Sequence, residues 1–378
     1  MPIFKKSKKE SEVAVSSSPQ TMRRSTSVST LLDAEPLSEN PRLYTALREA
    51  VPFIDAAIFK LTRLIGGFQI ECGDKNAENA LNGFLTGLNA GGNAVGITSF
   101  ISSYFDRLLT FGTAVGEIVP SADCRSFSLY CADISGVFLK RNDKNPLEVQ
   151  ILRNDFGKAV PVRNPERILL SVLNPESDNL YGRSLLKGLP FVSSVLLKIY
   201  DAIGTNWDRL GNVRFAVTYK PQNDALDRSY AKDRAMQIAK EWGDAMRKTD
   251  GTVRDFIAVG DVEIKVIGAD NNMPDSSVPV RQMLEQIIAK TGLPPFLLGV
   301  NWSTTERMSS QQSDLMTSEL QYYRSILTPV ILKIAQTYLR MNGFSTGCEI
   351  IWDEITLQDT VEEARAALFR AQASKVEN

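Results

Sequence analysis

Apolar positions switch between a helical and a strand period along most of the chain. From Leu43 they recur at Leu47, Ala50, Ile54, Ala57, Leu61 and Leu64, the spacing that turns one helix face toward a core. Asn40-Pro41 supplies a cap and a first-turn proline, Pro52 predicts a bend, and Gly66-Gly67 predicts a stop. Phe68 to Cys72 alternates as a strand, and further helices are predicted over 77–88 and 98–111, across a Gly/Asn-rich loop from Asn89 to Gly96. From Gly112 to Ser171 the pattern becomes short β runs, at 113–119, 127–131, 136–140, 147–152 and 167–171, broken by turn residues. Helices followed by short strands predict an α+β lobe.

The second half returns to helices. Val192, Leu196, Ile199, Ile203, Trp207 and Leu210 line one face of a predicted helix over 189–210, with Val195 and Leu197 off that face, so contacts on two sides are expected. A small β-α-β-β insert follows. It comprises a strand over 213–219, a helix over 227–247 with Ala231, Ala235, Ile238, Trp242 and Ala245 inward, and a hairpin of 256–259 with 262–267 about Gly260-Asp261. Another helix starts near Ser276-Ser277, with Pro279 in its first turn and Val280, Leu284, Ile287 and Ile288 on one face, and stops at Gly292. Pro294-Pro295, Phe296-Leu297-Leu298 and Gly299 lead into a polar stretch, Asn301 to Arg307. A long helix over 309–341 carries Leu315, Leu320, Tyr323, Leu327, Ile331, Ile334, Tyr338 and Met341 at helical spacing, with Pro329 predicting a kink and Gly343 a stop.

Composition narrows the chemistry. The 378 residues, 43% hydrophobic and 23% charged, suit two ordinary domains or one elongated subunit. A net charge of −1 argues against a globally basic nucleic-acid binder and leaves room for a local basic stripe. The absence of His removes His-based triads, HExxH zinc sites and every His-ligated metal. Cys72, Cys124, Cys131 and Cys348 form no CxxC pair and read as small buried hydrophobes in a reducing compartment. Neither GxxxxGK[ST] nor GxGxxG occurs, so no nucleotide-hydrolysing site is recognisable and no cofactor is implied. No signal-peptide core and no membrane-length apolar run is expected. Residues 1–38, with Lys5, Lys6, Lys8, Lys9, Arg23 and Arg24 among Ser and Thr, read as a disordered basic arm, either touching nucleic acid or a neighbouring subunit or simply untethered. Carboxylates gather at Asp353, Glu354, Asp359, Glu362 and Glu363. They could hold Mg²⁺ for a nuclease, while a helix start favours the same residues through its dipole.

The stretch IAKTGLPPFLLG, the polar loop and the long helix with its central Leu-Thr-Pro resemble the portal proteins of tailed bacteriophages, of the long-tailed phage or prophage type. Asp178-Asn179-Leu180-Tyr181-Gly182-Arg183-Ser184 before an apolar helix, and Ile350-Ile351-Trp352 leading into Leu357-Gln358-Asp359, extend the likeness over about 40–370. The resemblance implies an elongated α+β subunit. Its parts would be an α+β wing (39–187), a stem helix (188–211), a clip (212–270), a second stem helix (276–292), a tunnel loop (293–308), a long kinked helix with a wing strand (309–355) and a short helical crown (356–378).

It also implies a non-enzymatic, homo-oligomeric ring, a dodecamer, at a capsid vertex. Double-stranded DNA would pass through it without being read, and the large terminase subunit, a head-completion adaptor and the major capsid protein would bind it. It would assemble in the host cytoplasm and end in the virion. Within this frame Asn301, Trp302, Ser303, Thr304, Thr305 and Arg307 would face the channel, where hydroxyl and amide donors let a duplex slide. Lys198, Arg209, Arg214 and Lys220 are candidate channel-lining cations. Lys232, Arg234, Lys240, Glu241, Asp244, Arg247 and Lys248 form the candidate terminase or adaptor surface. The alternatives are a metal-dependent nuclease using the C-terminal carboxylates, or another virion shell protein.

Overall fold

The computed structural model describes residues 41–142, 145, 148–155, 158–176, 179–211, 214–219, 225–246, 262–267, 275–300 and 306–355. The chain is α+β, and its first half contains helices α1 (Pro41–Ala50), α2 (Pro52–Leu64), α3 (Lys75–Gly87) and α4 (Ile97–Phe111), with strand β1 (Phe68–Cys72) between α2 and α3. Strands β2 (Thr113–Pro120), β3 (Phe127–Cys131), β4 (Val137–Arg141), β5 (Val149–Asp155), β6 (Lys158–Pro161) and β7 (Ile168–Val172) follow. The second half contains α5 (Leu189–Gly211), β8 (Arg214–Tyr219), α6 (Ala225–Met246), β9 (Val262–Ile267), α7 (Ser277–Thr291), α8 (Glu306–Met341) and β10 (Cys348–Trp352).

Pro52 separates two helices instead of bending one. Val51 before it is extended, at φ −125° and ψ 91°, because the proline ring pushes its predecessor out of the helical region. Both helices still bury one continuous face, with Leu43, Leu47, Ile54, Ala57, Ile58 and Leu61 inside. Against that face lies α4, whose Phe100, Tyr104, Phe105, Leu108 and Leu109 are all buried. Each such side chain contributes roughly 1.5–3 kcal/mol by leaving water. The same core takes Leu320, Tyr323, Leu327, Ile331 and Ile334 from α8. That helix runs through Pro329 to Met341, and Gly343 follows at φ 78°. Leu315, expected inside, is 72% exposed, and Met316 takes the inward position instead.

Four antiparallel sheets complete the described residues. β2 lies between β3 and β7, β5 lies between β4 and β6, β8 pairs with β9, and β1 pairs with β10. β6 is a strand that the apolar pattern did not predict, because its Lys158-Ala159-Val160-Pro161 is short and largely exposed. β9 was expected to pair with 256–259, which lie outside the described residues, and its ladder with β8 closes the insert across α6. The pairing of β1 with β10 joins the front of the chain to its far end, with Ile70 opposite Ile350 and Phe68 opposite Trp352. Phe68 and Trp352 meet edge to face at 5.2 Å.

Candidate nucleic-acid interface

The residues that flank the loop singled out by the sequence are anchored on both sides. α7 buries Ile287, Ile288 and Thr291 and stops at Gly292, whose φ of 69° suits the left-handed cap. Leu293 is buried, and Pro294 before the next proline is extended, at ψ 138°. A single 3₁₀ turn, Pro295–Leu298, rests against α2 and presses Leu297 and Leu298 onto the core. Gly299 closes it at φ 77°, and the Val300 N–H donates to the Pro295 carbonyl at 3.1 Å. On the far side α8 is fixed by buried Ser313, Met316 and Leu320. Asn301, Trp302, Ser303, Thr304 and Thr305 lie outside the described residues. Arg307 belongs to the first turn of α8, and its side chain lies outside them too.

Of the candidate channel cations, Lys198 is exposed on α5. Arg209 belongs to the last turns of the same helix. The side chains of Arg209 and Arg214 and all of Lys220 lie outside the described residues. The structure brings together a different cationic group. Arg183 and Lys187 both approach Glu176, at 3.6 and 3.5 Å, and Lys290 of α7 joins them. Lys290 has its pKa lowered, first by partial burial and then by the charges of Arg183 and Lys187. Among the described residues Glu176 is the one carboxylate in ion-pair contact with this trio. Arg183 and Lys187 are four residues apart and were legible as a pair, whereas nothing in the sequence ties Lys290 to them.

On α6, Lys232, Arg234, Lys240 and Glu241 are exposed, and Gln237 donates to Glu241 at 3.1 Å. The side chain of Asp244, and Arg247 and Lys248 entirely, lie outside the described residues. Met236, 60% exposed, falls between Lys232 and Lys240 on one stripe of the helix. Tyr230 is 58% exposed, so this surface is more apolar than its charges alone suggested. Trp207 on α5, expected on a packed face, is 63% exposed. Asp353 and Glu354 are also exposed, while Asp359, Glu362 and Glu363 lie outside the described residues. Among the described residues no three His, Cys, Asp or Glu side chains come together in a way that could hold a metal ion.

No family model matches the chain, and no curated protein matches it. Solved structures do. A chain from the virion of a native gene transfer agent (GTA) particle is 14% identical and superposes with a TM-score of 0.63 over 92% of this chain and 95% of that one. The neck of the native GTA particle, computed with C12 symmetry, contains a chain matching at TM-score 0.61 and 14% identity over 88% and 89% of the two chains. A crystal structure of an HK97 family phage portal protein from Corynebacterium diphtheriae matches more loosely, at TM-score 0.42 and 12% identity over 85% and 96% of the two chains. Across nearly its whole length, the chain has the α+β fold of the GTA virion and neck chains.

Proposed function

We propose that this protein is a portal subunit, building a ring-shaped channel at a capsid vertex through which double-stranded DNA is packaged and ejected. The observation that carries this reading is the near end-to-end likeness to a chain of a virion particle, with a second likeness to a neck chain in a twelvefold-symmetric assembly. A dodecamer is the expected ring, with terminase, adaptor and major capsid protein as its partners. Exposed Trp207 on α5, Val278 on α7 and Leu315 on α8 are the kind of large apolar groups that neighbouring subunits cover in a ring. Asn301 to Thr305, between the anchored turn Pro295–Leu298 and α8, are the channel contact, and the α6 surface is the docking face for the motor or adaptor. The ring acts as a passive conduit, and hydrolysis is left to a partner ATPase.

Negative-stain microscopy with mass photometry tests the ring directly. Closed rings with a bore of about 20 Å or more, enough for duplex DNA, whose major groove alone is roughly 12 Å wide, are expected. A chain that stays monomeric at high concentration and cuts DNA with Mg²⁺ overturns the reading. Deleting Asn301 to Thr305 is expected to spare ring assembly and impair packaging or retention of DNA. Normal packaging by that deletion would remove the loop from the channel.

The trio Arg183, Lys187 and Lys290 carries more positive charge than Glu176 offsets, and we assign it to duplex phosphates. Changing Lys187 and Lys290 together to Ala is expected to weaken duplex binding to the assembled ring. The salt slope of log K should fall by roughly 0.9 for each phosphate that is no longer neutralised. Fluorescence anisotropy across a salt series reads this, and an unchanged slope would exclude these residues from DNA binding.

A further inference from the structure

Two of the four cysteines, far apart in sequence, are direct neighbours in space. Cys72 ends β1 and Cys348 begins β10, and the register of that ladder sets them opposite each other. Their place in the hydrogen-bond pattern follows from the ladder's ends. The Asp353 N–H donates to the Gly67 carbonyl at 3.0 Å, and the Gly73 N–H donates to the Gly347 carbonyl at 3.4 Å. Antiparallel pairs alternate between hydrogen-bonded and non-hydrogen-bonded, so Cys72 and Cys348, one step inside the second of these, are a non-hydrogen-bonded pair. The Cys72 N–H accordingly turns away from β10 and donates to Glu78 at 3.0 Å. Such partners stand about 4.5 Å apart at Cα, inside the roughly 4.4–6.8 Å that a disulfide spans.

Both side chains are on the same face of the sheet. Phe68, Ile70 and Cys72 alternate inward on β1, as do Trp352, Ile350 and Cys348 on β10, and all six pack on the main core. Both cysteines are free thiols and only half-buried. We propose that Cys72 and Cys348 form a redox-sensitive cross-strand clamp, reduced in this structure, which a small-molecule disulfide oxidant closes. One thiolate attacks a sulfur of oxidised glutathione and expels reduced glutathione. The second thiolate attacks the protein sulfur of that mixed disulfide and expels the other half. The protein loses two electrons and two thiol protons, and two molecules of reduced glutathione carry them away. The bond joins the strand that follows α2 to the strand that follows α8, and so ties the two ends of the lobe covalently.

Burial raises both thiol pKa values. For Cys72 the neighbouring Cys348, Glu78 and Asp74 raise it further, while Lys75 lowers it. Closure is therefore expected to run faster at alkaline than at neutral pH. Cys124, exposed at a turn, and Cys131, whose thiol burial pushes up to about 11, have no cysteine opposite them in the ladders.

The test incubates the purified full chain with oxidised glutathione and maps the disulfides by peptide mass spectrometry. A linked Cys72–Cys348 peptide pair in most molecules is expected, with a rise in Tm of about 5 °C or more that dithiothreitol reverses. A Cys124→Ser variant should behave the same, and Cys348→Ala should lose both the link and the shift. Free thiols at both positions, glutathione mixed disulfides that never resolve, or Cys124-linked dimers alone would overturn the proposal. So would a link without any change in Tm. None of these readings depends on whether the protein forms a channel.

Discussion

Gly182→Ala is expected to unfold the α+β lobe or cost it about 4 kcal/mol or more, at the extreme of single substitutions. The segment Tyr181 to Ser184 crosses the joint between α4 and β2 in backbone-to-backbone contact. A methyl group on Gly182 would lie 2.0 Å from the Gly112 carbonyl oxygen, 2.4 Å from the Leu173 carbonyl oxygen and 2.6 Å from the Leu173 nitrogen. None of these is the end of a side chain that could swing away. The surrounding bonds fix the crossing. The Gly182 N–H donates to Thr113 Oγ1 at 3.0 Å, the Arg183 N–H to the Leu173 carbonyl at 2.7 Å, and the Leu173 N–H to the Gly112 carbonyl at 2.8 Å. Ser184 Oγ donates to the Thr110 carbonyl at 2.6 Å and accepts from the Leu186 N–H at 2.9 Å. Moving the segment to admit a methyl would strand several of these buried groups, each at about 1–3 kcal/mol. Gly83, on an exposed stretch of α3 with nothing near its missing side chain, is the control. Gly83→Ala should stabilise by roughly 0.4–1 kcal/mol by restricting the unfolded chain. Urea midpoints of the two variants read the contrast, and a Gly182→Ala protein with a wild-type midpoint would contradict the packing described.

That segment shows what a sequence can and cannot convey. Tyr181-Gly182-Arg183-Ser184 was conspicuous in the sequence, but its neighbours are not. Gly112 and Thr113 lie about seventy positions upstream, and no local rule pairs them. The helices were the most legible part, because the faces of α1, α2, α4 and α8 follow the apolar period almost residue by residue. The exceptions were Trp207 and Leu315, apolar residues at helical spacing that the single chain leaves exposed. Spacing marks the residues that avoid water, and it is silent on whether the cover comes from the same chain. The central strands were legible because β2 and β7 are short apolar runs bounded by turn residues, whereas β6 has too few apolar residues to leave a trace. For the candidate site, the anchors on both sides of the loop were legible through their Gly and Pro residues. The meeting of Lys290 with Arg183 and Lys187 was not, because charges carry no periodicity that points to a distant partner. The same holds for Cys72 and Cys348, which looked like isolated hydrophobes until the β1–β10 register set them opposite each other.

Arg324→Lys is expected to destabilise the protein by about 2 kcal/mol although it keeps the charge, because the fork and the plane of the guanidinium are what the site uses. Arg324 lies on α8, is 8% exposed, and reaches the end of α2. Its Nε and an Nη both donate to the Ile65 carbonyl, at 2.9 and 2.7 Å. Ile65 is the C-cap of α2, where unpaired carbonyls and the negative end of the helix dipole favour a cation. The guanidinium also lies over the Trp352 ring at 5.0 Å, and the Trp352 indole N–H donates to Thr328 Oγ1 at 3.0 Å. One side chain thus joins α2, α8 and β10. Burial lowers the Arg324 pKa, and Asp353 works against that shift. A lysine ammonium is a compact point charge on a flexible stem, so it cannot make the double contact and the ring stacking together. Its pKa also falls more readily on burial, so it would add a pH dependence. Below the lysine's folded pKa the ammonium stays buried at a cost, and as pH rises through that value the cost is relieved by deprotonation. The measurement is a pair of urea titrations, at neutral and at alkaline pH. Arg324→Lys should show a lowered midpoint at neutral pH that partly recovers when alkaline, while Arg324→Leu should show a loss independent of pH. Equal stability of the lysine variant and the parent at neutral pH would mean that charge alone, and not the planar fork, holds the end of α2.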